Sequence, residues 1–231
     1  MTDPAAPTDP AAPTNPAART DPAARTDPAS LTELARAMIR PGGRSLLGLT
    51  GPPGAGKSTL AAELCAALDP LATRVPMDGF HLANRVLRDL GLAGRKGAPA
   101  SFDVGGFHAL LRRLRANTED VVYAPEFFRE FEEAIAGALP IPRTVPLVIV
   151  EGNYLLLDDG PWHGTAALLD EVWYLRPDET VRRGRLVRRH QEYGRTAAEA
   201  EKWVATNDDL NAELVATTAN RADRIITRPR Q

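Results

Sequence analysis

The chain has 231 residues, of which 43% are hydrophobic and 25% are charged, and its formal net charge is −2. This composition is ordinary for a globular protein, and the small charge gives no overall attraction to nucleic acid or to an anionic membrane, so neither is expected as a partner. The one cysteine, Cys65, excludes an intrachain disulfide and a cysteine-based zinc cluster. No apolar run reaches the roughly 18 residues of a membrane span and no signal-peptide core is found, which predicts a cytoplasmic protein.

Residues 1–30 contain a six-residue repeat, written TDPAAP, TDPAAP, TNPAAR, TDPAAR and TDPAS. Proline in every copy removes a backbone donor and restricts the preceding residue, and the repeat has no large apolar side chain to bury. It therefore predicts a disordered or polyproline-like tail. Residues 31–231 are expected to form one domain with a sizeable core.

From residue 31 onward, short apolar segments alternate with segments of helical spacing. The first helix is expected after a cap at Ser30, and Pro177 is expected to open a later helix. The predicted strands are 45–50, 73–77, 147–150, 171–175 and 224–227. The predicted helices are 31–39, 57–68, 104–114, 177–190, 196–207 and 211–219.

Two segments give weaker patterns. Residues 79–102 are rich in glycine, arginine and lysine and are expected to be mobile, and residues 127–139 are expected to be helical or irregular. The alternation elsewhere indicates a mainly parallel sheet covered on both faces, which is a three-layer α/β fold.

The turn after the first predicted strand reads Gly51-Pro52-Pro53-Gly54-Ala55-Gly56-Lys57-Ser58 and fits G-x-x-x-x-G-K-[ST] in full. Glycines let the loop wrap closely around phosphate oxygens, and the next helix presents its positive end to the same anion. Lys57 is predicted to reach the β- and γ-phosphates of ATP, and Ser58 to ligate Mg²⁺. The predicted nucleotide contacts are Gly51, Gly54, Ala55, Gly56, Lys57, Ser58 and Thr59. A Rossmann site is disfavoured because its glycine spacing is not met.

Two acidic residues follow predicted strands, at the edge where ligands bind to parallel sheets. Asp78 follows the second strand and could accept a proton from an attacking hydroxyl or orient it. Glu151 follows the apolar segment LVIV, where an acidic residue anchors magnesium in P-loop enzymes, usually through water. The two roles could be exchanged, and either residue could instead cap a turn.

Six arginines lie within a short stretch of the predicted helix 177–190 and the residues after it, namely Arg182, Arg183, Arg185, Arg188, Arg189 and Arg195. Such a cluster is explained by an anion such as ATP, or by acidic partners such as Glu179 and Glu192. Because Arg185 and Arg189 share a helix face, we predict that they belong to a lid helix that closes over the transferring phosphoryl group. Nucleic-acid binding through this cluster is disfavoured because aromatic residues are not interleaved with it.

Taken together, five segments resemble the phosphoribulokinase/uridine kinase family of P-loop kinases, which includes a type of bacterial pantothenate kinase. They are the phosphate-binding loop, MDGFH at 77–81, RKG at 95–97, VEGNY at 150–154 and RLVRRH at 185–190. The resemblance covers roughly residues 31–228 and implies the three-layer P-loop fold with a lid, ATP and Mg²⁺. In place of the His-Ser-Arg segment of the uridine-kinase branch, this chain has YAPEFFR at 123–129.

The resemblance also implies roles for individual residues. Asp78 matches the catalytic aspartate, Ser58 and Glu151 match the magnesium positions, and Arg185 and Arg189 match lid arginines. Arg95 and Lys96 match a basic pair near the acceptor, and Trp203, Asn207 and Asn211 resemble a Trp-Asn-Asn helix that touches the acceptor in pantothenate kinases.

Two roles are considered for each of the remaining residues on the acceptor side. His81 is expected either to contact the acceptor or to donate a hydrogen bond to the backbone. Tyr123, Phe127, Phe128 and Phe131 are expected to fill the core rather than to line an acceptor pocket.

The sequence therefore predicts an ATP- and Mg²⁺-dependent kinase that transfers the γ-phosphoryl group to a hydroxyl of a small metabolite, such as a nucleoside, a sugar or a pantothenate-like acid. The alternative is an ATP-binding switch or accessory protein whose hydrolysis drives a partner. A GTPase is less favoured because no Asn-Lys-x-Asp sequence is found. The oligomeric state cannot be predicted.

Overall fold

Apolar segments without polar positions become the central strands of a sheet, because both of their faces are covered. The computed structural model describes residues 27–227, and its strands are β1 (Ser45–Thr50), β2 (Ala72–Pro76), β3 (Val121–Phe128), β4 (Glu133–Pro142), β5 (Leu147–Glu151), β6 (Glu171–Arg176) and β7 (Arg224–Thr227). Five of them form a sheet in the order β2-β5-β1-β6-β7, with every neighbouring pair parallel. The five strands predicted from the sequence are thus confirmed.

Helices cover both faces of this sheet. They are α1 (Pro28–Ala37), α2 (Lys57–Ala67), α3 (Asn84–Asp89), α4 (Val104–Ala116), α5 (Glu179–Glu192), α6 (Ala197–Trp203) and α7 (Asp209–Ala216). Leu47 and Leu49 of β1 pack with α1 and α2, whereas Leu46 on the opposite face shares a second core with α4. Side chains of successive strand residues point to opposite faces, so this division confirms the three-layer α/β fold.

The register of the three strands β2, β5 and β1 determines where the chain leaves each of them. Glu151 pairs with Pro76 on one side and with Leu49 on the other. The segments that continue from Pro76 and Leu49 therefore leave the sheet at the same level as Glu151. This edge is where a parallel α/β sheet binds ligands.

Strands β3 and β4 form a separate antiparallel hairpin that covers the end of β2. The prediction of a helical or irregular segment at 127–139 was wrong. One face of the hairpin is buried through Val122, Ala124 and Ile141, and Gly137 takes a positive φ of 71°. The segment 79–102, expected to be mobile, contains α3 and two 3₁₀ turns, and its Phe102 is buried in the core.

Two expected helix starts are shifted. Asp27, not Ser30, caps α1, since its side chain accepts a hydrogen bond from the Ser30 amide at 2.9 Å. Asp178 caps α5, so Pro177 precedes the helix instead of opening it. Residues 1–26 of the predicted tail lie outside the described residues. Helix α1 begins at Pro28, which is within the range 1–30 predicted for the tail. The boundary between tail and domain stays a prediction. Between residues 27 and 227, no helix combines the length and apolarity needed to cross a bilayer.

A substitution at Gly79 tests how the hairpin packs against the end of β2. A Cβ at this position would lie 2.3 Å from the carbonyl oxygen of Pro125. We expect Gly79→Ala to lower the free energy of unfolding by about 1–3 kcal/mol, because the backbone of one segment must move. Urea denaturation measures the change.

Gly184→Ala is the matched control. Gly184 lies within α5, and a Cβ there meets nothing within 4 Å. This substitution should stabilise the protein by about 0.5–1 kcal/mol. Equal stabilities of the Gly79→Ala variant and the parent protein would contradict the described packing.

Candidate functional site

The carboxyl ends of β1, β2 and β5 open into a cleft of about 650 Å³. The opposite wall is formed by α5 and by a π-helical turn, Val204–Asp208, between α6 and α7. The predicted site residues that line the cleft are Gly54, Gly56, Lys57, Ser58, Thr59, Asp78, His81, Lys96, Glu151, Arg185, Arg189, Asn207 and Asn211. Gly51 and Ala55 are buried in the loop itself, whereas Arg95 is exposed and does not line the cleft.

The glycines of the loop have backbone conformations that other residues rarely adopt. Gly54 and Gly56 have φ values of 80° and 90°, and Gly56 is the N-cap of α2. Added side-chain atoms would also collide, since a Cβ on Gly51 would lie 2.6 Å from the carbonyl oxygen of Leu175. The loop thus leads directly into the first turn of α2, whose free N–H groups are suited to an anion.

Lys57 is buried beneath the loop. Its Nζ donates to the carbonyl oxygens of Gly51 at 2.9 Å and Pro52 at 3.1 Å, and to Oδ1 of Asn153 at 2.7 Å. Burial lowers the pKa of Lys57 to about 8, while the carboxylates of Glu151 and Asp78 oppose that shift. Asn153 was not predicted as a site residue, although it lies two positions after Glu151 in the VEGNY segment.

Ser58 and Glu151 are in direct contact. The Ser58 hydroxyl donates to Oε1 of Glu151 at 2.9 Å. Burial and the neighbouring Asp78 raise the pKa of Glu151, and Lys57 and Ser58 partly oppose this. The two predicted magnesium positions therefore present adjacent oxygen atoms, in surroundings that favour an added positive charge.

Asp78 lies in the 3₁₀ turn that follows β2, and its side chain is 37% exposed. Nη2 of Arg129, which follows β3, lies 3.5 Å from Oδ2 of Asp78. Burial opposes ionisation of Asp78, but His81, Arg129 and Lys57 outweigh it and hold the pKa of this carboxyl below its ordinary value. Arg129 was missed by the sequence analysis because the hairpin that carries it was not predicted.

The arginine cluster divides into two groups. Arg182 is buried and pairs with Glu179 and Asp209, both at 2.7 Å, and Arg183 also pairs with Asp209. The acidic partner Glu179 was predicted, and Asp209 was not. Arg185 and Arg189 face the cleft instead.

The two lid arginines have different surroundings in the cleft. Arg185 Nη1 is 3.7 Å from the position that a Cβ on Gly56 would take. Arg189 Nε is buried without a hydrogen-bond partner among residues 27–227. Burial lowers the pKa of Arg189, as does the nearby Arg129. Arg189 and Arg129 are therefore two cations held near each other, and Arg189 has an unpaired donor. Such an arrangement is suited to binding an anion between the two side chains.

The far side of the cleft has aromatic and amide side chains. The His81 ring lies 4.0 Å from the ring of Phe102 and 4.9 Å from that of Phe127, measured between centroids, and its Nδ1 is 2.8 Å from the carbonyl oxygen of Asp78. His81 thus contacts backbone and also lines the cleft. Tyr123 and Phe131, expected in the core, are 56% and 52% exposed.

Asn207 and Asn211 contact the segment that contains Lys96. Asn207 Nδ2 donates to the carbonyl oxygen of Lys96 at 3.0 Å, and Asn211 Nδ2 lies 3.4 Å from that of Gly97. Lys96 Nζ donates to Asn84 Oδ1 at 2.7 Å and to the Glu132 carbonyl oxygen. These contacts tie the lid side of the cleft to the segment before α4.

Three known proteins are similar to this chain over most of its length. YggC, an uncharacterized protein of Escherichia coli (strain K12), is 37% identical over 193 residues, which cover 81% of this chain and 79% of YggC. C227.14 of Schizosaccharomyces pombe, whose name proposes a uridine kinase, is 34% identical over 183 residues, covering 74% of this chain and 78% of C227.14.

The crystal structure of a proposed fructose transport system kinase from Silicibacter sp. TM1040 superimposes with a TM-score of 0.78 at 38% identity, covering 88% of this chain and 99% of that one. No protein-family model matches the chain. The identities and coverages nevertheless show relationship over most of each protein. The chain therefore belongs to one family of P-loop proteins with YggC, C227.14 and the Silicibacter protein, and the last two of these carry kinase names.

Proposed function

We propose that this protein is an ATP- and Mg²⁺-dependent kinase of the phosphoribulokinase/uridine kinase type, which phosphorylates a hydroxyl group of a small metabolite. The observation that carries the proposal is the convergence of Lys57, Asp78 and Glu151 on one cleft at the ends of three adjacent strands. A phosphate-binding loop alone is also found in switches and motors. A carboxylate held ionised across the cleft from that loop is what transfer to a hydroxyl additionally requires.

Each residue then has a defined task. Lys57 and the loop amides hold the phosphates, and Asp78 accepts or orients the proton of the attacking hydroxyl. Arg185 and Arg189 stabilise the charge of the transferring phosphoryl group and exclude water when α5 closes. Arg129 helps to keep Asp78 ionised and in this way supports the base.

The oxygen atoms of Ser58 and Glu151 fit a magnesium ion. The ion would supply neutralisation of phosphate charge, and Mg²⁺ commonly takes one or two protein oxygens with the rest from phosphate and water. Among residues 27–227, no group of three or more His, Cys, Asp or Glu side chains is placed so that it could hold a metal ion. The raised pKa of Glu151 would fall on binding, because the cation favours the carboxylate.

The names of the relatives suggest acceptors for a screen. One name prints a uridine kinase and the other a kinase of a fructose transport system, so uridine and fructose are included. ATP consumption should be measured across a library of hydroxyl compounds that includes both. ATP hydrolysis that never depends on an added acceptor would favour a nucleotide switch over a kinase.

Replacing Asp78 tests the assigned base. Asp78→Asn keeps the shape of the side chain but removes its proton acceptor, so acceptor-dependent turnover should fall by a factor of about 10²–10⁴ while ATP binding is retained. Steady-state kinetics and nucleotide titration measure the two effects. Asp120→Asn is the matched control, because that side chain is 98% exposed and remote from the cleft. Full turnover by Asp78→Asn would remove the assignment.

Arg129→Gln tests how Asp78 is kept ionised. Without this cation the pKa of Asp78 should rise, so activity on the acidic side should be lost at higher pH than in the parent enzyme. The pH profile of kcat/KM measures the shift. Arg143→Gln, which alters an exposed ion pair with Asp120, should leave the profile unchanged. An acid limb that stays in place in Arg129→Gln contradicts the role.

A further inference from the structure

Lys57 is held from two sides, by its own loop and by the segment that follows β5. Its ammonium group has three N–H donors, and each of them has an acceptor. Two acceptors are the loop carbonyl oxygens of Gly51 and Pro52, and the third is Oδ1 of Asn153 at 2.7 Å. The bond to Asn153 is the shortest of the three. Because bonds from a charged donor are about twice as strong as neutral ones, Asn153 helps to determine where Nζ lies.

The position of Asn153 is itself well determined. Its backbone carbonyl oxygen accepts a hydrogen bond from the Thr50 hydroxyl at 3.0 Å, which ties it to the end of β1. The orientation of its side-chain amide follows from chemistry, since the lysine can only donate and must therefore face Oδ1. The amide nitrogen Nδ2 is thus left to donate to another group.

Tyr154 continues these contacts toward the other side of the cleft. A side-chain hydrogen bond joins Asn153 to Tyr154. The Tyr154 hydroxyl in turn donates to the carbonyl oxygen of Gly97 at 2.6 Å. Burial raises the pKa of Tyr154 above its ordinary value, so the hydroxyl keeps its proton and remains a donor.

Gly97 belongs to the segment that contains Lys96. Both residues line the cleft, and Gly97 has a φ of 92°, which other residues rarely adopt. The Gly97 amide donates to Oγ of Ser101 at 2.9 Å, four residues further along the chain. Because that contact is local, the bond from the buried Tyr154 connects this segment to the core and contributes to its order.

From this chain of hydrogen bonds we propose that Asn153 is a positioning residue that couples the phosphate site to the acceptor side of the cleft. It holds Nζ of Lys57 in place for the phosphates. Through Tyr154 it makes the order of the segment around Gly97 depend on the bound nucleotide, so that ATP orders this wall before the acceptor enters. The name acceptor side rests on the proposed kinase function, whereas the coupling between the two sites does not.

A phosphate bound at Lys57 leaves the contact with Asn153 in place. Since each donor of Nζ already has an acceptor, a phosphate oxygen must share or replace one of them. The bond to the Pro52 carbonyl oxygen is the longest, at 3.1 Å, and is therefore the most easily replaced. The phosphates then restrict the motion of Nζ, and the restriction passes through Asn153 to Tyr154.

Hydrogen–deuterium exchange tests the coupling without an acceptor. The exchange of peptides spanning residues 92–101 is measured with and without a saturating concentration of Mg²⁺ and the non-hydrolysable ATP analogue AMPPNP, and calorimetry confirms that the analogue is bound. In the parent protein the analogue should slow this exchange by about threefold or more, because opening the segment then also disturbs contacts that the nucleotide stabilises.

Two variants identify the path. Tyr154→Phe removes one hydroxyl and leaves the contact between Asn153 and Lys57, whereas Asn153→Leu removes both links and keeps a side chain of similar size. In each variant the analogue should still bind, but the slowing should be lost. Tyr123→Phe and Asn220→Leu are the matched controls and should keep the slowing, because both side chains are exposed and do not line the cleft.

The exchange rates separate the alternatives. Equal slowing in the parent and in Tyr154→Phe would overturn the coupling, and so would a parent protein that shows no slowing. Faster exchange with the analogue would mean that phosphate replaces Asn153 at Lys57, which would overturn the positioning role. A parent protein that does not bind the analogue would remove both proposals. Slowing that depends on Asn153, without turnover of any acceptor, would retain the inference and remove the kinase.

Turnover of the best acceptor from the screen gives a second measurement. Tyr154→Phe should raise KM for the acceptor with little change in kcat. Asn153→Leu should in addition lower kcat by about tenfold or more at saturating ATP, because it also displaces Nζ of Lys57. An unchanged kcat in Asn153→Leu would contradict the positioning role.

Discussion

The site depends on one alignment in the sheet, in which Glu151 lies between Pro76 and Leu49. Because the three strands are parallel, the segments that continue from them emerge side by side, and the phosphate-binding loop, Asp78 and Glu151 become neighbours. A shift of one residue in either pairing would turn every side chain of that strand to the opposite face. The burial of both faces of β1 and β5 opposes such a shift, so the apolar core also holds the geometry of the polar site.

Much of this arrangement could be predicted because its causes are local. The loop from Gly51 to Ser58 is contiguous, and its glycines are needed for the backbone path that the structure shows. Asp78 and Glu151 could be found because strand ends of a parallel sheet meet at one edge, which holds whatever the rest of the chain does. Glu179 could be named as a partner for the arginines because it lies one helical turn from Arg182.

Other parts of the site depend on contacts between distant segments. Strand β4 reads EAIAGALPIP, in which Glu, Ala and Leu favour helices, and only its pairing with β3 makes it extended. Since Arg129 reaches Asp78 through that hairpin, no pattern near Arg129 could indicate the contact. The same holds for Asp209, which binds Arg182 and Arg183 across two helices. Arg95 shows the opposite case, because it is adjacent in sequence to Lys96 yet is exposed away from the cleft.

The π-helical turn at Val204–Asp208 joins α6 and α7 into a nearly continuous helical segment with one residue more than regular α-helical geometry would hold. Deleting any one residue of this turn could restore an unbroken helix, but everything after it would rotate by about 100° relative to α6. Asn211, Ala212 and Val215 would then leave the positions in which they are buried. Changes of chain length at this turn should consequently be far less tolerated during divergence of the family than exchanges of its exposed side chains.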